Sequence, residues 1–67
     1  MEQYKITLEA ARVNAGLTQK DVADKMGVNR TTIMSWESGK TLPNIAQFDQ
    51  FCAICKAPKD IIFLKSL

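Results

Sequence analysis

An all-α fold is predicted for this chain by three observations. Apolar residues recur at helical spacing, no alternating apolar run is bounded by hairpin turns, and Gly16, Gly27 and Gly39 stand where successive helices would end. Thr18 after Gly16 and Asn29 after Gly27 are residues that cap helix N-termini, so each stop is followed by a start.

The first helix can begin at Thr7, with Glu9 in its first turn favoured by the helix dipole. Leu8, Ala11 and Ala15 share one face, and Gly16 ends it. In the second, Thr18 and Asp21 form a capping-box pair, while Leu17 and Val22 sit where a hydrophobic staple closes. Gly27 ends that helix, Asn29 caps a third, and Val28 with Ile33 repeats the staple. Gly39 closes the third helix, and a loop runs from Lys40 to Pro43. Asn44 then caps a fourth, whose inner face would hold Ile45, Phe48, Phe51, Cys52 and Cys55 until Pro58 breaks it. A last turn or two, from about Lys59 to Leu64, carries Ile61, Ile62, Phe63 and Leu64, more apolar surface than so short an element can hide.

Composition sets the outer limits. With 67 residues the chain is one domain over residues 1–67, and a chain this short buries only about 60% of its unfolded surface. A deep catalytic pocket is hard to build at that size. No nucleophile pair or phosphate loop is present and histidine is absent, so a non-enzymatic role is expected. The longest apolar run, Ile61 to Leu64, is far below the roughly 20 residues of a membrane span. The N-terminus lacks a secretory signal, which makes the cytoplasm the expected location. A net charge of +2 permits an anionic partner without requiring one.

The placement of side chains on the third helix is more informative than the total charge. At about 100° per residue, Ile33, Trp36 and Glu37 fall on one side, and Arg30, Thr31, Met34, Ser35 and Ser38 on the other. Short polar residues let a helix approach base edges, and an N-terminal arginine can pair with guanine O6 and N7. Gly27 would supply the positive φ that turns the chain, and Ala23 the small residue where the two helices cross.

These residues resemble the Cro/CI-type helix-turn-helix DNA-binding domain of phage repressors and bacterial regulators. The similarity runs through Leu8, Arg12, Gly16 to Gln19, Val22, Ala23, Gly27, Val28, Ile33, Trp36, Glu37, Gly39, Lys40 and Pro43, and the apolar spacing continues to Phe63. It implies a lambda-repressor-like domain of five helices, with helices two and three forming the DNA-binding motif. It also implies a transcriptional regulator that binds a palindromic operator in double-stranded DNA as a dimer. By resemblance, Gln19 and Lys40 contact phosphates, while Asn29, Arg30, Thr31 and Ser35 read bases or adjacent phosphates. Arg12 and Glu37 match a charged pair that ties helix one to helix three. Leu42 and Ile45 depart from the pattern, since relatives often carry basic residues there.

No cofactor, metal or small-molecule ligand is expected. Cys52 and Cys55 lack the second ligand pair that zinc needs and lie in the last turns of a helix, unlike a redox pair, so they read as buried thiols. Trp36 is expected to pack against the Pro43 loop, and Met34 is either a thymine-methyl contact or a filler. Ile61, Ile62, Phe63 and Leu64 are expected to support a weak homodimer. The alternative is an antitoxin or adaptor module whose apolar C-terminus binds another protein and whose DNA binding is secondary.

Overall fold

The computed structural model describes residues 5–64. It contains α1 (Leu8–Asn14), α2 (Gln19–Met26), α3 (Arg30–Ser38) and α4 (Ile45–Cys55), followed by a single 3₁₀ turn at Lys59–Ile61. The fold is all-α as the sequence predicts. The fifth helix is reduced to that one turn, because the chain leaves it at Ile62 to pair with the segment before α1. Ile6 N–H donates to the Ile61 carbonyl at 2.8 Å, and Phe63 N–H donates to the Ile6 carbonyl at 3.0 Å, forming an isolated parallel bridge between Ile6 and Ile62. Backbone groups that a longer helix would have satisfied within itself are satisfied there instead.

The helix starts are chemical. Thr7 Oγ1 accepts from the Ala10 amide, and Thr18 with Asp21 completes the reciprocal capping box before α2. A second box, Asn44 with Gln47, opens α4. Asn29 occupies the cap position of α3, but its side chain makes no capping hydrogen bond, so capping is not what that residue does here. Gly27 and Gly39 end α2 and α3 in the left-handed conformation, with φ of 71° and 83°. Helix α4 stops before Pro58, at Lys56, which adopts the same conformation with φ 55°.

The core gathers Leu8 and Ala11 of α1, Val22 and Ala23 of α2, Ile33 and Trp36 of α3, and Phe51, Cys52 and Cys55 of α4, closed by Ile6 and Ile62. Trp36 meets Phe51 of α4 edge to face, with ring centroids 6.5 Å apart. Two expected core positions are outside. Ala15 lies past the last residue of α1 and is exposed. Ile45 has the right angular position, but the residue is 83% exposed. Ile62 moves the other way, from expected dimer surface to core, while Ile61 is partly buried against it.

Candidate nucleic-acid interface

Helix α3 is fixed from below by a buried charged cluster. Arg12 of α1 meets Glu37 of α3 through two hydrogen bonds, Nε to Oε2 at 2.7 Å and Nη2 to Oε1 at 3.2 Å. Arg12 Nη1 also donates to the Leu17 carbonyl at 2.9 Å, so one guanidinium joins α1, α3 and the turn before α2. The bond to Glu37 raises the Arg12 pKa further, against the opposing effect of burial. No buried side-chain nitrogen or oxygen among the described residues is left without a partner.

Gln19 belongs to this cluster as well as to the surface. Its Nε2 donates to Glu37 Oε1 at 3.0 Å, and the residue is half-buried. An amide carries two N–H donors, so the second remains for an external acceptor. In the first turn of α2 the Asp21 amide is capped by Thr18 and the Val22 amide bonds the Thr18 carbonyl. That leaves the Gln19 and Lys20 amides without an intrahelical partner, at the end of a helix that favours anions. The backbone and hydroxyl bonds from Thr18 hold the Asp21 carboxyl below its ordinary pKa, so it stays ionised and the box closed.

Beside this turn is an open hollow of about 410 Å³, lined by Arg12, Leu17, Thr18, Gln19, Lys20 and Arg30. It brings Gln19 and Arg30 to one place and adds Lys20, which sequence reasoning missed. The available signal was a lysine directly after the glutamine in the first turn. Lys20 is exposed and pairs with Asp24 one turn on, at 2.8 Å, which raises its pKa.

On the outside of α3, Arg30, Thr31, Met34 and Ser38 are exposed and Ser35 is half-buried. Asn29, with no capping bond to hold it, is exposed beside Arg30. The Ser35 carbonyl is an anchor for the following loop, accepting from the Lys40 amide at 3.0 Å, the Thr41 amide at 3.3 Å and Ser38 Oγ at 3.1 Å. Lys40, exposed, is thereby fixed past the end of α3 opposite to Arg30. Of the six residues singled out from sequence, Gln19 and Arg30 line one hollow, Asn29, Arg30, Thr31 and Ser35 follow one another at the cap and along α3, and Lys40 comes just past its end.

The model for the family described as Helix-turn-helix matches residues 8–61, the span from the first residue of α1 to the last of the 3₁₀ turn. The chain belongs to the helix-turn-helix family. It is also similar to an HTH-type transcriptional activator, BcrR, of Enterococcus faecalis, with 40% identity over 43 residues. That alignment covers 64% of this chain and 21% of the relative, so the chain spans about a fifth of the length of the protein it matches. No solved structure matches it. In this helix-turn-helix domain α2 and α3 are the paired helices of the DNA-binding motif, and Gly27 is the turn between them. Among the described residues no helix is long and apolar enough to cross a membrane.

Proposed function

We propose that this helix-turn-helix domain binds double-stranded DNA sequence-specifically as a transcriptional regulator of the phage repressor or Cro kind, with α3 in the major groove. The carrying observation is the surface of α3, where short polar side chains are flanked at one end by the Gln19, Lys20 and Arg30 hollow and at the other by Lys40. Nine residues of α3 span about 14 Å at 1.5 Å per residue, comparable with a major groove about 12 Å wide. Donors at both ends can therefore meet phosphates on the two sides of the groove. In this reading Gln19 and Lys40 hold phosphates, and Asn29, Arg30, Thr31 and Ser35 face bases. Two copies on the half-sites of a palindrome, weakly paired, would occupy the operator from the cytoplasm. Similarity to a transcriptional activator favours transcription over a purely adaptor function.

Binding of each variant to an operator selected from random duplexes, measured across salt concentrations, tests this. Arg30→Ala is expected to cost about 1 to 3 kcal/mol on specific DNA and to relax one or two positions, with nonspecific affinity little changed. Lys40→Ala is expected to weaken all sequences alike and lower the salt slope by about one unit. Equal losses on specific and nonspecific DNA for Arg30→Ala would move Arg30 from base reader to phosphate contact, as its place beside Lys20 also allows. Failure to select any duplex would overturn the function.

A further inference from the structure

On another side of the domain the C-terminal ends of α1, α2 and α4 enclose a groove of about 630 Å³ to which α3 contributes no residue. Its floor and walls include Ala11, Leu17, Ile54, Ala57 and Ile61, and among the described residues its ionisable lining groups are Lys25, Lys56 and the Cys55 thiol. No aspartate or glutamate of the described residues lines it. Neither lysine takes part in an ion pair among the described residues, whereas Lys20 and Lys59 do. The carboxylate of Asp21, one turn before Lys25 on α2, accepts from the Thr18 amide and its charge also acts on Lys25 without an ion pair between them. The groove is open, since Asn14, Ala15, Lys25, Lys56 and Pro58 on its lining are exposed.

We infer that this groove docks an acidic amphipathic helix of a partner protein, with its apolar side chains between Leu17, Ile54 and Ile61 and its carboxylates on Lys25 and Lys56. The charge balance decides the sign of the partner: two ammonium groups flank an apolar floor that no carboxylate of the described residues lines. The openness decides its size. Small ligands are held where most of their surface is enclosed, while an exposed trough with small residues at its base suits the side chains of one helix face. Because the groove contains no part of α3, such docking leaves the DNA-facing surface free. The inference goes beyond the DNA-binding reading and can be measured on protein without DNA.

The test uses the full chain, labelled with nitrogen-15, and a capped helical peptide of about 16 residues, long enough to hold helix. The peptide carries leucines at i, i+3, i+4 and i+7 with glutamates beside them; one control replaces the glutamates with lysines and another the leucines with serines. The acidic apolar peptide is expected to give saturable amide shifts at Ala11, Ala15, Ile54 and Ala57 at up to about millimolar concentration, with both controls at least about tenfold weaker. Lys25→Gln and Lys56→Glu, each checked for a native spectrum, are expected to weaken the acidic peptide by about tenfold together, and Lys56→Glu to improve the lysine peptide. Absence of saturable shifts in the groove, shifts centred on α3, or indifference to both lysine variants would overturn the inference. So would dodecanoate binding the groove when the peptide does not, which would make it a small-ligand site. Loss of DNA binding by any variant has no bearing on these outcomes.

Discussion

Arg12 and Glu37 show how a charge is made tolerable inside so small a domain. Each carboxylate oxygen and three guanidinium nitrogens have partners, two of them outside the pair itself, at the Leu17 carbonyl and Gln19 Nε2. Removing one partner strands the other charge, so Arg12→Met and Glu37→Gln are each expected to cost about 3 to 5 kcal/mol in urea unfolding. A double-mutant cycle should give a coupling well above the roughly 0.5 kcal/mol of solvated pairs; a value at or below that would mean the pair does not hold α3. Cys52 and Cys55 illustrate a different case, free thiols buried in the core. Burial pushes the Cys55 thiol up to about 11 from its ordinary value of 9.0. The folded state therefore binds the proton more tightly than the unfolded one, and the associated stability is complete below pH 9 and lost as pH rises towards 11. Cys55 is expected to contribute about 2 to 3 kcal/mol to a decline over that window in denaturant titrations, and the decline should shrink in Cys55→Ala without vanishing, because burial raises the Cys52 thiol as well. A decline of unchanged size in the variant would assign it to other groups.

Among the helical elements, two stops with the same backbone conformation carry different residues. Gly27 at φ 71° ends α2, and Lys56 at φ 55° ends α4. A residue with Cβ in the left-handed region costs about 1 to 2 kcal/mol relative to a right-handed one, so the two substitutions should move stability in opposite directions. Lys56→Gly is expected to stabilise by up to about 1 kcal/mol. Gly27→Ala is expected to destabilise by about 1 kcal/mol and not more, because an added Cβ there meets nothing within 4 Å. Thermal melts of the two variants decide it, and a loss on Lys56→Gly would show that this side chain does more than end the helix. For α3 the missing Asn29 capping bond leaves the start less tightly closed than those of α2 and α4, and leaves that amide side chain available to a partner.

For the whole molecule, the two ends of the described chain are joined. The bridge between Ile6 and Ile62 places Ile62 in the core, whereas Phe63 and Leu64 remain 44% and 38% exposed. The apolar C-terminal run is therefore divided, with half sealing the monomer and half left for any partner copy. Ile62→Lys is expected to destabilise the monomer by several kcal/mol, on the order of burying an unpaired charge, and to abolish DNA binding through unfolding. Phe63→Lys and Leu64→Lys are expected to leave the melt nearly unchanged and to reduce cooperative binding to a full palindrome while sparing half-site binding. Full cooperativity in both would direct the search for the dimer surface to Leu42 and Ile45, the other exposed large apolar residues beyond α3.

Local chemistry was enough to place α1 to α4 and the turn at Gly27, because capping hydroxyls, carboxamides and glycines act within four residues of themselves. The order of Arg12, Glu37 and Gln19 along the chain, through resemblance, pointed to the pair between α1 and α3. What lay beyond sequence was every choice between two surfaces competing for one side chain. Periodicity assigned Ile45 to the core and could not register that the fold leaves this residue exposed. It assigned Ile62 to the outside because the partner, Ile6, lies at the other end of the chain, and a single bridge leaves no periodic trace. Asn29 carried the chemistry of a cap, yet whether its amide turns inward is set by the packed position of α3. Gln19 looked like a phosphate ligand alone until the fold brought Glu37 within 3.0 Å of it. Sequence determined where helices start and stop because those forces are local; tertiary structure decided which faces are covered because burial depends on residues far apart in the chain.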